Sequence, residues 1–255
     1  GLLLPIRRSF EQWACERPVK LYRGVQSPLA NKEPGSIDLV VVRENTEGEY
    51  SQVGGNLYTH TSDEVAIQTS VFTRRGVERI IRFAFDLARK RNKKKQVTSV
   101  TKSNAQGYSM VLRDRVFAHV AREYPDITTE SLLVDAAAMN FVRRPENFDV
   151  VVGSNLFGDI LSDLAAMITG SMGLAPSNNL NPERQHPSMF EPVHGSAPDI
   201  AGKDIVNPLA MILSASMMVD FLGMSIAAGE IEKAVGEMLA EGAALPADLG
   251  GFAST

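Results

Sequence analysis

Asp159 and Asp163 stand four residues apart in the stretch Asn155-Leu-Phe-Gly-Asp159-Ile-Leu-Ser-Asp163. On a helix that spacing puts both carboxylates on one face. The two like charges repel, and a hard divalent cation such as Mg2+ or Mn2+ between them would remove the repulsion. The alternative is a solvated helix start, where the dipole favours acids. Further groups could take part in the same chemistry. Arg43 opens the polar run Arg43-Glu-Asn-Thr-Glu-Gly-Glu-Tyr50, Lys102 opens Lys102-Ser-Asn104, and Asp135 closes Glu130-Ser-Leu-Leu-Val-Asp135. Arg7 and Arg17 are either anion clamps or solvated surface arginines.

The elements that would position these groups follow from periodicity. Ile37–Val42, Gln96–Thr101, Glu130–Asp135 and Phe148–Gly153 are short apolar or β-branched runs and read as strands. Arg43, Lys102, Asp135 and Asp159 each come just after such a run, where open α/β sheets place their ligand-binding groups. Helices are predicted over 7–17 (ended by Pro18), 74–91 (capped by Thr73), 108–123 (stopped by Pro125), 136–142, 156–172, 208–222 and 231–241. A β-hairpin or arm is expected within 53–71, and a loop over the Pro-, Asn- and Ser-rich 175–187. Met189–Asp199 reads as a second polar strand-to-loop segment. The basic run Arg89–Lys95 reads as a solvated helix C-terminus rather than a nucleic-acid patch.

The 255 residues are 44% hydrophobic and 22% charged, with a net charge of −4, the profile of a globular chain with a large core. Mild acidity argues against nucleic acid as the main partner. No apolar run is long enough to span a membrane, and Gly1-Leu-Leu-Leu-Pro5 is too short for a signal core. The single Cys15 excludes an internal disulfide and reads as a buried structural thiol in a reducing compartment, which makes the cytoplasm the expected location.

Asn155–Asp163 resembles the signature of the β-decarboxylating dehydrogenases, the isocitrate/isopropylmalate dehydrogenase family. So do Arg43–Tyr50, Thr101-Lys-Ser-Asn104 and Glu191-Pro-Val-His-Gly-Ser-Ala-Pro-Asp-Ile-Ala-Gly202. The resemblance covers essentially the whole chain and implies an α/β, isopropylmalate-dehydrogenase-like two-domain fold with a mixed β-sheet crossing both domains, not the Rossmann fold. No Gly-x-Gly-x-x-Gly is present. The small domain would span 13–171 and hold substrate and metal residues and the dimer interface. Segments 1–12 and 172–255 would form an incomplete large, cofactor-side domain with an exposed apolar sheet edge, the chain being cut short at both ends.

By residue, the resemblance implies Arg7, Arg17 and Arg43 as the clamp on substrate carboxylates, Asp135, Asp159 and Asp163 as metal ligands, and Tyr50 and Lys102 as the acid/base pair. Lys102 and Asp135 would cross into the partner's site, so the active unit is a homodimer. His194, Gly195, Ser196, Ala197, Asp199 and Asn207 would bind the cofactor. A carboxylate at Asp199 would bond ribose hydroxyls and repel a 2′-phosphate, which favours NAD; Mg2+ or Mn2+, with K+ as an accessory ion, completes the set. The expected reaction is NAD-dependent oxidative decarboxylation of a 2-hydroxy dicarboxylic acid of the D-malate/tartrate type. The alternatives are an isopropylmalate or isocitrate dehydrogenase, or a non-catalytic regulatory subunit of the same family.

Overall fold

The computed structural model describes residues 2–255; Gly1, at the head of the expected large-domain segment, lies outside the described residues. Nine strands are present among them: β1 (Ala14–Lys20), β2 (Asp38–Glu44), β3 (Gly48–Leu57), β4 (Val65–Val71), β5 (Gln96–Thr101), β6 (Thr128–Leu133), β7 (Val150–Gly153), β8 (Pro176–Leu180) and β9 (Met189–Pro192). The helices are α1 (Leu3–Ser9), α2 (Arg74–Arg91), α3 (Ser109–Ala121), α4 (Val134–Arg143), α5 (Asn155–Ile168), α6 (Leu209–Phe221) and α7 (Ser225–Glu241).

Seven strands form one mixed sheet in the order β6-β5-β7-β2-β1-β8-β9. β6, β5, β7 and β2 run parallel, and β1, β8 and β9 add on antiparallel. The sheet therefore continues unbroken through the 171/172 position. Alternation along β2 decides the layers. Val40 and Val42 pack with Val77, Ile80, Ile81 and Phe85 of α2 on one face. Leu39 and Val41 pack with Phe141 of α4, Leu161 and Ala165 of α5, Leu213 of α6 and Leu239 of α7 on the other. β3 and β4 pair only with each other, and Val53, Leu57, Val65 and Ile67 stay exposed along that hairpin.

Thr73 caps α2 by accepting the Gly76 N–H at 2.9 Å, and the strand expected at 96–101 has those bounds. Two expectations fail. The segment 7–17 is not one helix: α1 ends at Ser9, and Arg17 lies in β1 with Pro18 inside the strand. Pro18 is tolerated there for a local reason. It stands opposite Val40, whose N–H turns away to Asp149, so the proline nitrogen faces the β8 side. There pairing stops at Glu16↔Asn178. Continuing that register would set Pro18 against Pro176, two residues without an N–H.

The second failure is the 175–187 loop, which contains the wholly buried strand β8. Its polar side chains form an internal ladder rather than a solvated turn. Asn178 exchanges bonds with Glu16, and Asn179 bonds Asn45 and Glu191. Boundaries also move. β6 stops at Leu133, so Asp135 stands in the first turn of α4 instead of at a strand end; Arg43 belongs to β2 itself; α5 stops at Ile168; and α7 begins at Ser225.

Candidate active site

β1 and β2 put two arginines on one sheet face. Arg43 is opposite Cys15, so Arg17, two residues on, is its diagonal neighbour. α5 crosses this face and presents Asp159. Arg17 Nη1 donates to Asp159 Oδ1 at 3.1 Å, to Ser162 Oγ at 2.7 Å and to Asp163 Oδ1 at 3.3 Å. Arg43 Nη1 donates to the same Asp159 Oδ1, while its Nε and Nη2 donate to Asn155 Oδ1 at 3.0 and 2.7 Å. The Tyr50 hydroxyl donates to Asp159 Oδ2 at 2.8 Å, and its ring lies 5.3 Å from the Arg43 guanidinium carbon. Arg7, on α1, donates to Glu191 of β9 at 3.0 Å.

These cations are nearly dry: Arg7, Arg17 and Arg43 are 4%, 6% and 2% exposed. Burial pushes the Arg43 pKa down, with Arg17 and Arg7 adding to the push and Asp159 opposing it. Burial also opposes the Arg17 cation, but the neighbouring acids leave its pKa above the ordinary value. The Tyr50 phenol is pushed up by burial and then by its bond to Asp159, so it stays protonated at neutral pH. Burial raises the Asp163 carboxyl, an effect Arg17 partly offsets. Buried charges of one sign persist only with counter-charge. Here Asp159, Asp163 and Glu191 supply it, yet the Nε of Arg7 and of Arg17 has no hydrogen-bond partner among the described residues.

Asp159 and Asp163 share one cation, the Arg17 Nη1 between them, so the two carboxylates are aimed at a common point. Asp135 is elsewhere, bonded to Lys102 at 2.7 Å in an outward-facing pair. Within the described residues no three acids, histidines or cysteines stand close enough to hold a metal. One chain thus brings together Arg17, Arg43, Tyr50, Asp159 and Asp163 and leaves Lys102 and Asp135 as a separate pair.

His194, Gly195, Ser196 and Ala197 line a cavity of about 170 Å3 with Ile200 and Gly202. That volume is small against the roughly 300–1,000 Å3 of whole-ligand sites, so the cavity has room for a fragment of a larger ligand and not for a whole one. Asp199 is exposed beside the cavity and not part of its wall. Asn207 is buried, with its amide nitrogen on Asp248 and its oxygen on the Leu209 N–H at the start of α6.

The acids of the 43–50 run do not face the arginines. Glu44 accepts from Thr46 and Glu47 N–H groups and from Arg79, Glu47 accepts from Thr73, and Glu49 accepts from Ser154 and Leu156. Asn155, Ser162 and Glu191 are site contacts that spacing alone did not single out; each stands inside one of the polar motifs, which was the available signal.

The isocitrate/isopropylmalate dehydrogenase family model matches residues 1–255. The D-malate dehydrogenase [decarboxylating] of Escherichia coli (strain K12) is 54% identical over 260 residues, which cover 100% of this chain and 72% of that protein. The tartrate dehydrogenase/decarboxylase of Pseudomonas putida is 52% identical over 261 residues, covering 100% and 71%. The crystal structure of isocitrate dehydrogenase from Methylococcus capsulatus superposes with a TM-score of 0.91 at 40% identity, over 99% of this chain and 72% of that one.

Proposed function

The chain belongs to the isocitrate/isopropylmalate dehydrogenase family, and from that premise we propose that it oxidatively decarboxylates a 2-hydroxy dicarboxylic acid of the D-malate/tartrate type with NAD and a divalent metal. The observation that supports this most is the set of three nearly dry guanidiniums with two unpartnered Nε–H groups. Planar donors of fixed geometry suit carboxylates, and a dianionic substrate would supply acceptors for the Nε–H groups that Asp159, Asp163 and Glu191 leave unpartnered. The substrate class follows the relatives, which are named as D-malate and tartrate enzymes.

Arg7, Arg17 and Arg43 hold the two carboxylates and orient the 2-carbon. Mg2+ or Mn2+, when bound, supplies Lewis-acid stabilisation of negative charge on the 2-oxygen; NAD, when bound, takes the hydride. Asp159 and Asp163 would hold the metal, with Asp135 completing the set from a second copy of the chain. Lys102 of that second copy takes the hydroxyl proton, a reading supported by its pairing with Asp135 rather than with the arginines of its own chain. Loss of CO2 leaves an enol whose carbon needs a proton. Tyr50 is the donor, kept in its acid form by burial and Asp159. The segment from His194 to Asp199 would hold one part of NAD, with Asp199 as the acceptor for ribose hydroxyls.

The test is NADH formation with Mn2+ and D-malate, tartrate, isocitrate or 3-isopropylmalate. Turnover of D-malate or tartrate that Lys102→Ala abolishes is the expected result. Turnover confined to isocitrate or isopropylmalate overturns the substrate assignment. A folded, Mn2+-binding dimer that oxidises none of them is instead a regulatory subunit.

A further inference from the structure

The turn from β7 into α5 is held from both sides by charged side chains, one buried and one half-buried. On its carbonyl side, Arg113 of α3 donates to Val152 O at 2.9 Å. Arg113 is 1% exposed and burial lowers its pKa to about 10. On its amide side, Glu49 accepts the Ser154 hydroxyl at 2.7 Å and the Leu156 N–H at 3.1 Å. Glu49 is also the foremost acid acting on Arg113. Three more bonds tie the same turn to the 43–50 segment: Asn155 Nδ2 to Glu47 O at 3.0 Å, and Arg43 Nε and Nη2 to Asn155 Oδ1.

Glu49 immediately precedes Tyr50. Consecutive strand residues point to opposite faces, yet here both reach α5: Glu49 its first turn and Tyr50 Asp159, three residues past Leu156. The pairing register of β3 with β4 shifts between Gly48 and Val53, and irregularities of this kind re-aim side chains. The phenol therefore reaches Asp159 from a backbone pinned by the residue beside it.

We propose that Glu49 is a positioning residue for the proton donor: by gripping Ser154 and Leu156 it fixes the start of α5 against the start of β3 and so sets where the Tyr50 hydroxyl stands relative to Asp159. This rests on the functional reading above for Tyr50's role, while the pin itself does not depend on it. A mere helix cap would add stability and leave chemistry alone. A positioning residue acts through Tyr50, and its effect must vanish when Tyr50 is gone.

The experiment is a double-mutant cycle of Glu49→Gln and Tyr50→Phe, with D-malate turnover and with hydrogen exchange across 154–159. Glu49→Gln is expected to lower kcat roughly tenfold to a hundredfold, the range in which a displacement of about 1 Å falls. KM for D-malate, set by the three arginines, is expected to hold. In the Tyr50→Phe background the further loss of kcat is expected to disappear, and amides of 154–159 should exchange faster in Glu49→Gln while those of α2 do not. Additive losses across the cycle, or a rise in KM at constant kcat, overturn the proposal. Unchanged exchange at 154–159 overturns the pin whatever the kinetics. If the wild-type protein oxidises no hydroxy acid, the functional reading fails and the consequence for Tyr50 with it, while the exchange result still decides the pin.

Discussion

Replacing Asp159 with asparagine should weaken the fold, and the structure bounds the amount. The change removes the charge shared by Arg17, Arg43 and Tyr50. Hydrogen bonds to charged groups are worth about 1.5–3 kcal/mol each when desolvated. Both arginines keep other acceptors, Ser162 and Asp163 for one and Asn155 for the other, and the Asp159 side chain is 30% exposed. Taking the low end for the sum, with the discount that exposure requires, gives about 2 kcal/mol. For a chain of this size that is a fall in Tm of about 4–8 °C. The assay is thermal unfolding followed by circular dichroism in metal-free buffer, at low and high salt. The loss should change little with salt because the arginines are buried. The Tyr50 phenol should also titrate at lower pH once the charge beside it is gone. An unchanged or higher Tm would refute the reasoning, since Asp159 would then be a strained acid that the arginines do not need.

Two other changes test the packing and the electrostatics. Gly158→Ala should lower Tm although alanine is the better helix former by about 1 kcal/mol. Its Cβ would stand 2.7 Å from Arg43 Cβ and 2.9 Å from Cγ, and overpacking of that kind costs about 1–3 kcal/mol; a higher Tm would show that Arg43 can move aside freely. Glu16→Gln should do the reverse. Burial pushes the Glu16 carboxyl above its ordinary value, with Asn178 pulling it part of the way back. A folded pKa above the unfolded one gives stability that is present below the unfolded value and lost as pH rises through the folded one. The glutamine variant should therefore be the more stable near about pH 7 and match the wild type below about pH 4. A gain that persists unchanged in acid would sink this account.

How far the sequence led depended on where the deciding contacts lie. Thr73 and its helix were legible because the cap and the apolar spacing are local. Arg43, Tyr50, Asp159 and Asp163 were named from their motifs and Arg17 from the resemblance, and the structure gathers them at one place. β1 was not legible: residues 7–17 read as one helix ended by Pro18, and only pairing with β2 on one side and β8 on the other makes 14–20 a strand. β8 was hidden by its composition, since Asn178 and Asn179 are compatible with a core only when Glu16, Asn45 and Glu191 supply their bonds. Local propensity reads such residues as loop, and tertiary partners override it. The same holds for Glu44, Glu47 and Glu49, which stand in the polar run but whose carboxylates are spent on N–H, hydroxyl and guanidinium groups of neighbouring elements.

That last feature has a consequence for anyone wishing to transplant this chemistry. A designer who copied Arg17, Arg43, Tyr50, Asp159 and Asp163 onto a new scaffold would carry the groups this chain gathers at one place and few of those that hold them still. The smallest portable module is larger: residues 43–50 with all their acids, the turn and helix from Val152 to Asp163, and Arg113 behind them. Seen as an engineering specification, most of the polar motif is mounting hardware, and only a minority of its side chains are the tool.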